Sequence, residues 1–143
     1  MKKYKIGYTQ GTYDMFHVGH LNLLRQAKAL CDILIVGINS DELVQRYKNK
    51  TPVVNEHDRM EIVKEMKCVD DVLLCDTLKK TEMWDKIHFE AIFIGNDWKG
   101  NARWAQTEED LKPLGADVVY LQHTEGISST FLRTKEENKV EED

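Results

Sequence analysis

The sequence predicts an α/β fold, a single domain built on a five-stranded parallel sheet with helices on both faces. Three observations carry this expectation. Five short apolar runs, residues 4–8, 33–38, 69–74, 91–94 and 118–121, are rich in β-branched side chains and read as strands buried on both faces. Segments of helical period lie between them. Leu21, Leu24, Ala27 and Cys31 share one helix face; Met60, Val63 and Met66 or Lys67 mark a second; Trp84, Ile87 and His88 mark a shorter one; Leu111 and Leu114 are a weak fourth. Finally, strand and helix alternate along the chain, the pattern of a parallel sheet joined by right-handed crossovers.

The 143 residues fit one domain with a core of its own. That domain is expected over residues 1–133. Residues 134–143 are nearly all charged, have little to bury and are expected to form a disordered tail. The formal net charge of −5, from 20 Lys and Arg against 25 Asp and Glu, argues against nucleic acid or an anionic membrane as the main partner. It does not argue against a nucleotide, because a few cations in one cleft suffice. No apolar run approaches the roughly 18–20 residues that span a bilayer, and no apolar segment follows the basic start to make a signal peptide. Cys31, Cys68 and Cys75 form no C-x-x-C pair and read as free thiols in a reducing cytoplasm.

In a parallel sheet, ligands bind beyond the carboxyl ends of the strands where the strand order reverses. The first such exit is Thr-Gln-Gly-Thr-Tyr-Asp-Met-Phe-His-Val-Gly-His, residues 9–20. Gly11 permits a tight turn and close backbone approach. A helix starting near Val18 and Gly19 presents unpaired N–H groups and the positive end of its dipole, which suit an anion. His17 and His20 are three apart, so both imidazoles fall on one side of that helix start and both can donate to a phosphate oxygen. Neither common glycine-rich phosphate loop is present. Two surface histidines beside a turn, or two zinc ligands awaiting a third, are the other readings; the zinc reading finds no third ligand nearby.

The last exit is His123-Thr124-Glu125-Gly126-Ile127-Ser128-Ser129-Thr130-Phe131-Leu132-Arg133. Its hydroxyls sit where a helix should start, either capping N–H groups or donating to phosphate oxygens. Taken together, Gly11-Thr12-Tyr13-Asp14 followed by His17-Val18-Gly19-His20 resembles the GTFD…HxGH signature of the nucleotidyltransferase superfamily, with Tyr13 in place of Phe. Thr-Glu-Gly-Ile-Ser-Ser-Thr resembles the R-T-E-G-I-S-T-T block of its cytidylyltransferase branch, with His123 in place of the arginine that contacts the triphosphate. The resemblance spans residues 4–133 and is closest to the glycerol-3-phosphate cytidylyltransferases.

That resemblance implies a Rossmann-like fold and CTP as the nucleotide. It implies His17 and His20 on the α-phosphate, and a phosphate cradle lined by Thr12, Tyr13 and Gly19. Lys48 and Lys50, in the polar stretch Lys48-Asn49-Lys50-Thr51-Pro52 after the second helix, would hold the β- and γ-phosphates with Ser129, Thr130 and Arg133. His123, Thr124, Gly126, Ile127 and Ser128 complete the nucleotide contacts. Arg59, in an E-x-R-like block, and Lys67 would bind the second substrate or the triphosphate. Asp97 and Trp98, in Gly95-Asn96-Asp97-Trp98 after the fourth strand, would meet the ribose or base; on residue type alone, a strand-end turn with a half-buried Trp is equally good. Mg²⁺ is expected on the triphosphate without direct protein ligands, with Asp14 as an indirect contact. The partners implied are CTP, a small phosphorylated alcohol and, by analogy, a second copy of the chain. The competing functions are adenylyl transfer to a sugar phosphate and a non-catalytic nucleotide-binding module.

Overall fold

The computed structural model describes residues 2–122. Five strands, β1 (Tyr4–Gly11), β2 (Cys31–Asn39), β3 (Asp71–Cys75), β4 (Ala91–Gly95) and β5 (Asp117–Leu121), form one sheet in the order β3-β2-β1-β4-β5. Every pairing is parallel. Five helices alternate with them: α1 (Val18–Leu30), α2 (Asp41–Lys48), α3 (Glu56–Lys64), α4 (Lys80–Ile87) and α5 (Ala102–Leu111). The chain moves outward from β1 to β3 and then returns to the other side of β1 for β4. The order therefore reverses between β1 and β4, and a crevice opens there beyond the strand ends.

Side chains on successive strand residues point to opposite faces. Leu34, Val36 and Ile38 of β2 and Phe93 of β4 join Leu24 and Ala27 of α1 and Val63 of α3 in one buried cluster. Tyr8 of β1 and Ile92 of β4 join Met83 of α4 and Trp104 and Leu111 of α5 in the other. Helices thus cover both faces of a Rossmann-like sheet. The centre is close-packed around Tyr8, whose hydroxyl donates to Gln10 Oε1 at 2.7 Å and lies 3.3 Å from Cys75 Sγ. Gly37 is required there, because a Cβ would fall 2.2 Å from the Tyr8 hydroxyl oxygen.

Several expected boundaries shift. Cys31, read as the last position of the α1 face, caps that helix and is already the first residue of β2. Its Sγ bonds the Ala27 carbonyl at 3.3 Å, so helix passes to strand without a loop. Val69 precedes β3 and closes a turn onto the Met66 carbonyl. Lys48 ends α2 instead of following it. His88 stops α4 in the left-handed region, at φ 56°.

Candidate active site

The crevice at the ends of β1 and β4 holds two continuous lobes, of about 410 Å³ and about 220 Å³. Gln10, Gly11, Thr12, Tyr13, His20, Ile94 and Trp98 line both. His17, Gly19, Gly95 and Asp97 are confined to the smaller lobe. Asp14, Lys48, Lys50, Lys80, Arg103 and Trp104 are confined to the larger.

The two histidines start α1 in an unusual way. His17 is the N-cap and its Nδ1 accepts from Gly19 N–H at 3.0 Å. His20, at the third helical position, accepts the His17 N–H on Nδ1 at 3.2 Å. This is a capping box in which imidazoles replace the usual hydroxyl and carboxylate. Because both Nδ1 atoms accept, each ring carries its proton on Nε2. The rings stack 3.8 Å apart at 22°, and His17 Nε2 is buried. Tyr13 and Phe16 enclose His20, each with its ring centre 5.3 Å away. Burial pushes the His20 pKa down to about 4; the adjacent His17 acts in the same direction and Asp14 opposes both.

The tight turn is not made by Gly11, which has no positive φ. Tyr13 and Met15 take the left-handed conformation instead, at φ 55° and 51°. Gly11 matters because its missing Cβ would lie 3.0 Å from the Tyr13 ring. The Tyr13 hydroxyl, absent from the usual Phe, lies 3.4 Å from Thr9 Oγ1.

The lysine-bearing segment is fastened from below. Both oxygens of Asp14 accept backbone N–H groups, from Val53 and Val54, at 2.8 Å each. Arg59 is 1% exposed and does not line either lobe. Its guanidinium donates to the carbonyls of Val54, Thr12 and Asn39 at 2.7–2.8 Å and pairs with Asp41. The expectation that Arg59 binds substrate thus meets a different arrangement, in which its donors join three chain segments beneath the pocket. Lys67 is not brought to the site either. It precedes β3 and sits at the amino end of the strands, opposite the crevice.

Lys48 and Lys50 do line the larger lobe. Thr12 is tied to α2 by the Tyr47 hydroxyl at 3.2 Å, which in turn accepts from Asn39 Nδ2 at 3.2 Å. Asp97 and Trp98 form a 3₁₀ turn after β4, and a Cβ on Gly95 would fall 2.6 Å from Asp97 Oδ1. His123, Thr124, Gly126, Ile127, Ser128, Ser129, Thr130 and Arg133, and the tail after them, lie outside the described residues.

Sequence reading passed over Gln10, Asn39, Tyr47, Lys80, Arg103 and Trp104. The strand-exit rule would have found two of them: Asn39 ends β2, and Lys80 lies just beyond β3. Lys80 Nζ donates to the Leu78 carbonyl at 2.8 Å and lies 5.4 Å from the Trp104 ring centre. Burial, and secondarily Arg103, lowers its pKa to about 8, against a smaller opposing effect of Cys75. The Arg103 guanidinium lies 5.5 Å from the Trp98 ring centre.

A crevice at the strand-order reversal, with two Nε2–H donors at a helix start and lysines opposite, is suited to holding a phosphate chain. The chain is similar to several known proteins. The bifunctional protein HldE of Caulobacter sp. (strain K31) is 49% identical over 129 residues, covering 90% of this chain and 26% of that protein. The ethanolamine-phosphate cytidylyltransferase of Dictyostelium discoideum is 35% identical over 126 residues, covering 87% of this chain and 34% of that protein. The chain thus spans only about a quarter to a third of the length of these relatives. Among solved structures, the lipopolysaccharide core biosynthesis protein of Thermoplasma volcanium superposes with a TM-score of 0.70 at 25% identity, over 85% of this chain and 97% of that one. Pantothenate synthetase of Thermus thermophilus, at 14% identity and a TM-score of 0.67 over 96% of this chain and 66% of that one, shares the fold. The profile of one family runs through both the histidine turn and the strands that frame it, from residue 8 to residue 135, and by that match the chain belongs to the cytidylyltransferase-like family of nucleotidyltransferases.

Proposed function

We propose that this chain transfers a cytidylyl group from CTP to a small phosphorylated alcohol, with sn-glycerol 3-phosphate as the first choice, giving CDP-glycerol and pyrophosphate. The observation that carries this reading is the stacked pair His17 and His20 at the start of α1, both lining the smaller lobe.

The acceptor's phosphate is largely dianionic near neutral pH, since its second pKa is about 6. It needs no strong base. Its oxygen attacks the α-phosphorus of CTP in line, the bond to the bridging oxygen of the β-phosphate breaks, and pyrophosphate leaves with the electron pair. The protein's part is to align two anions and neutralise the charge that builds between them. His17 and His20 donate to the α-phosphate. Because the His20 pKa lies near 4, that ring is a neutral hydrogen-bond donor at physiological pH, not a cation. Lys48 and Lys50, with Ser129, Thr130 and Arg133, take the β- and γ-phosphates. Asp97 and Trp98 face the nucleoside.

Mg²⁺, carried on the triphosphate, supplies further charge neutralisation. Among the described residues no three His, Cys, Asp or Glu side chains cluster as a cation site, and Asp14 has both oxygens on backbone N–H groups. A homodimer and a cytoplasmic location belong to the same proposal. Among the described residues no helix is long and apolar enough to cross a membrane.

The test is pyrophosphate release with Mg²⁺, CTP and ATP being offered separately against a panel of small phosphorylated alcohols and sugar phosphates. Turnover with CTP and glycerol 3-phosphate is expected. Turnover with ATP alone would replace the nucleotide assignment, and binding without turnover would move the chain to a nucleotide-sensing role.

A further inference from the structure

The larger lobe has a charge inventory that reaches past the triphosphate. Its described lining holds four cationic side chains, Lys48, Lys50, Lys80 and Arg103, and one carboxylate, Asp14. Lys48 and Lys50 come from the end of α2 and the segment after it. Lys80 and Arg103 come from the starts of α4 and α5, which pack together on the opposite face of the sheet from α1. A second phosphate beside the first requires countercharge of its own, and this corner supplies it. Both indoles of the corner are already engaged by cations, Trp98 by Arg103 and Trp104 by Lys80. Trp104 Nε1–H is buried without a hydrogen-bond partner among the described residues.

The geometry points to the Lys80–Arg103 corner as the acceptor subsite, with Arg103 the residue that selects a phosphate monoester on a neutral, hydroxylated body over one on an amino alcohol. This rests on the reading of the chain as a nucleotidyltransferase with a phosphorylated acceptor. In phosphoethanolamine or phosphocholine, the cationic nitrogen sits two carbons from the phosphate oxygen. Bound with its phosphate on Lys80 and Arg103, it would lie among like charges. Among the described residues of this corner, the usual receivers of such a cation, an open aromatic face or an available carboxylate, are taken. Both Asp14 oxygens hold backbone N–H groups and both tryptophan rings carry a side-chain cation. A polyol or sugar body instead offers oxygens to a donor-rich wall.

The experiment compares glycerol 3-phosphate and phosphoethanolamine as acceptors in the wild type, Arg103→Gln and Arg103→Glu, with folding checked by thermal melting. Binding of each acceptor is also titrated calorimetrically in the presence of a non-hydrolysable CTP analogue. The expected result is a wild-type preference for glycerol 3-phosphate. Arg103→Gln should raise its KM about tenfold, the scale of a lost charge-assisted bond, with the KM for CTP changed less than about twofold. Arg103→Glu should shift the preference towards phosphoethanolamine. Equal or better use of phosphoethanolamine by the wild type, or unchanged acceptor KM in both variants, would overturn the inference. If no pair of substrates turns over, the enzymatic reading fails, and the titration still decides the subsite: glycerol 3-phosphate binding weakened by Arg103→Gln sustains it, and binding unaffected by that change removes it.

Discussion

The two lobes of the crevice are built by opposite means. In the smaller lobe, the histidine turn is local: His17, Gly19 and His20 lie within four residues, and their geometry is set by one helix cap and the rings of Tyr13 and Phe16. The Lys80–Arg103 corner of the larger lobe is assembled from two helices 22 residues apart at their starts, Lys80 against Ala102, and its cations are held over indole rings. A site held by a local cap is stiff and suits a reaction centre. A corner held by packing between helices can vary without disturbing the chemistry, and suits the choice of acceptor.

The sharpest way to break this contrast is to remove the donors of the local turn. His17→Ala or His20→Ala should each lower kcat by about 10²–10³-fold, the loss typical of one transition-state donor. Steady-state kinetics read it, and less than a threefold change in both variants would remove these rings from the reaction. Next in size is the fastening under the lysines. Arg59→Met should destabilise the fold by about 3 kcal/mol, because three carbonyls lose their donor in a buried place. Denaturant melts read this. A variant as stable as the wild type with a raised KM for substrate would return Arg59 to the binding role its motif suggested.

The third test uses acid. The His20 pKa falls from 6.5 to about 4 on folding, so the unfolded chain binds more protons in between. Stability contributed by this ring is full above about pH 6.5 and is lost as pH falls towards 4, by at most about 3 kcal/mol. His20→Asn should flatten that part of the pH–melting curve. The smallest effect belongs to the other corner. Lys80, facing Arg103, Cys75 and the Trp104 ring, loses its proton above about pH 8. The KM for the acceptor should therefore rise about three- to tenfold between pH 7 and 9, and Lys80→Arg should hold it flat.

The same contrast explains what the amino-acid sequence disclosed. All five strands were legible, since each is a short apolar run flanked by helices, and so was the start of α1 at Val18. Helix α2 left little apolar trace: only Leu43 and Val44 are buried between charged neighbours. Boundaries slipped where hydrogen bonding, not hydrophobicity, ends an element, as at Cys31 and His88. The histidine turn was legible because its residues are contiguous. Lys80 lay within reach of the strand-exit rule, but Arg103 did not, because it follows β4 at a distance and only the packing of α5 against α4 brings it to the pocket. The placing of Arg59 escaped for a different reason. The pattern around it identifies a needed arginine but not whether its guanidinium points into a ligand or into three carbonyls.

That guanidinium also limits how relatives of this chain can diverge. Thr12, the Asn39–Asp41 stretch and Val54 come from three separate parts of the chain and meet at one planar group. A lysine in its place offers one ammonium at the end of a flexible stem and cannot fork between them. Substitutions in the acceptor corner can accumulate one at a time, each altering what is accepted. An exchange at Arg59 has no such gradual route: it releases the end of β1, the end of β2 and the lysine segment together. Lineages that change substrate are therefore expected to keep this hidden residue while rewriting the visible wall.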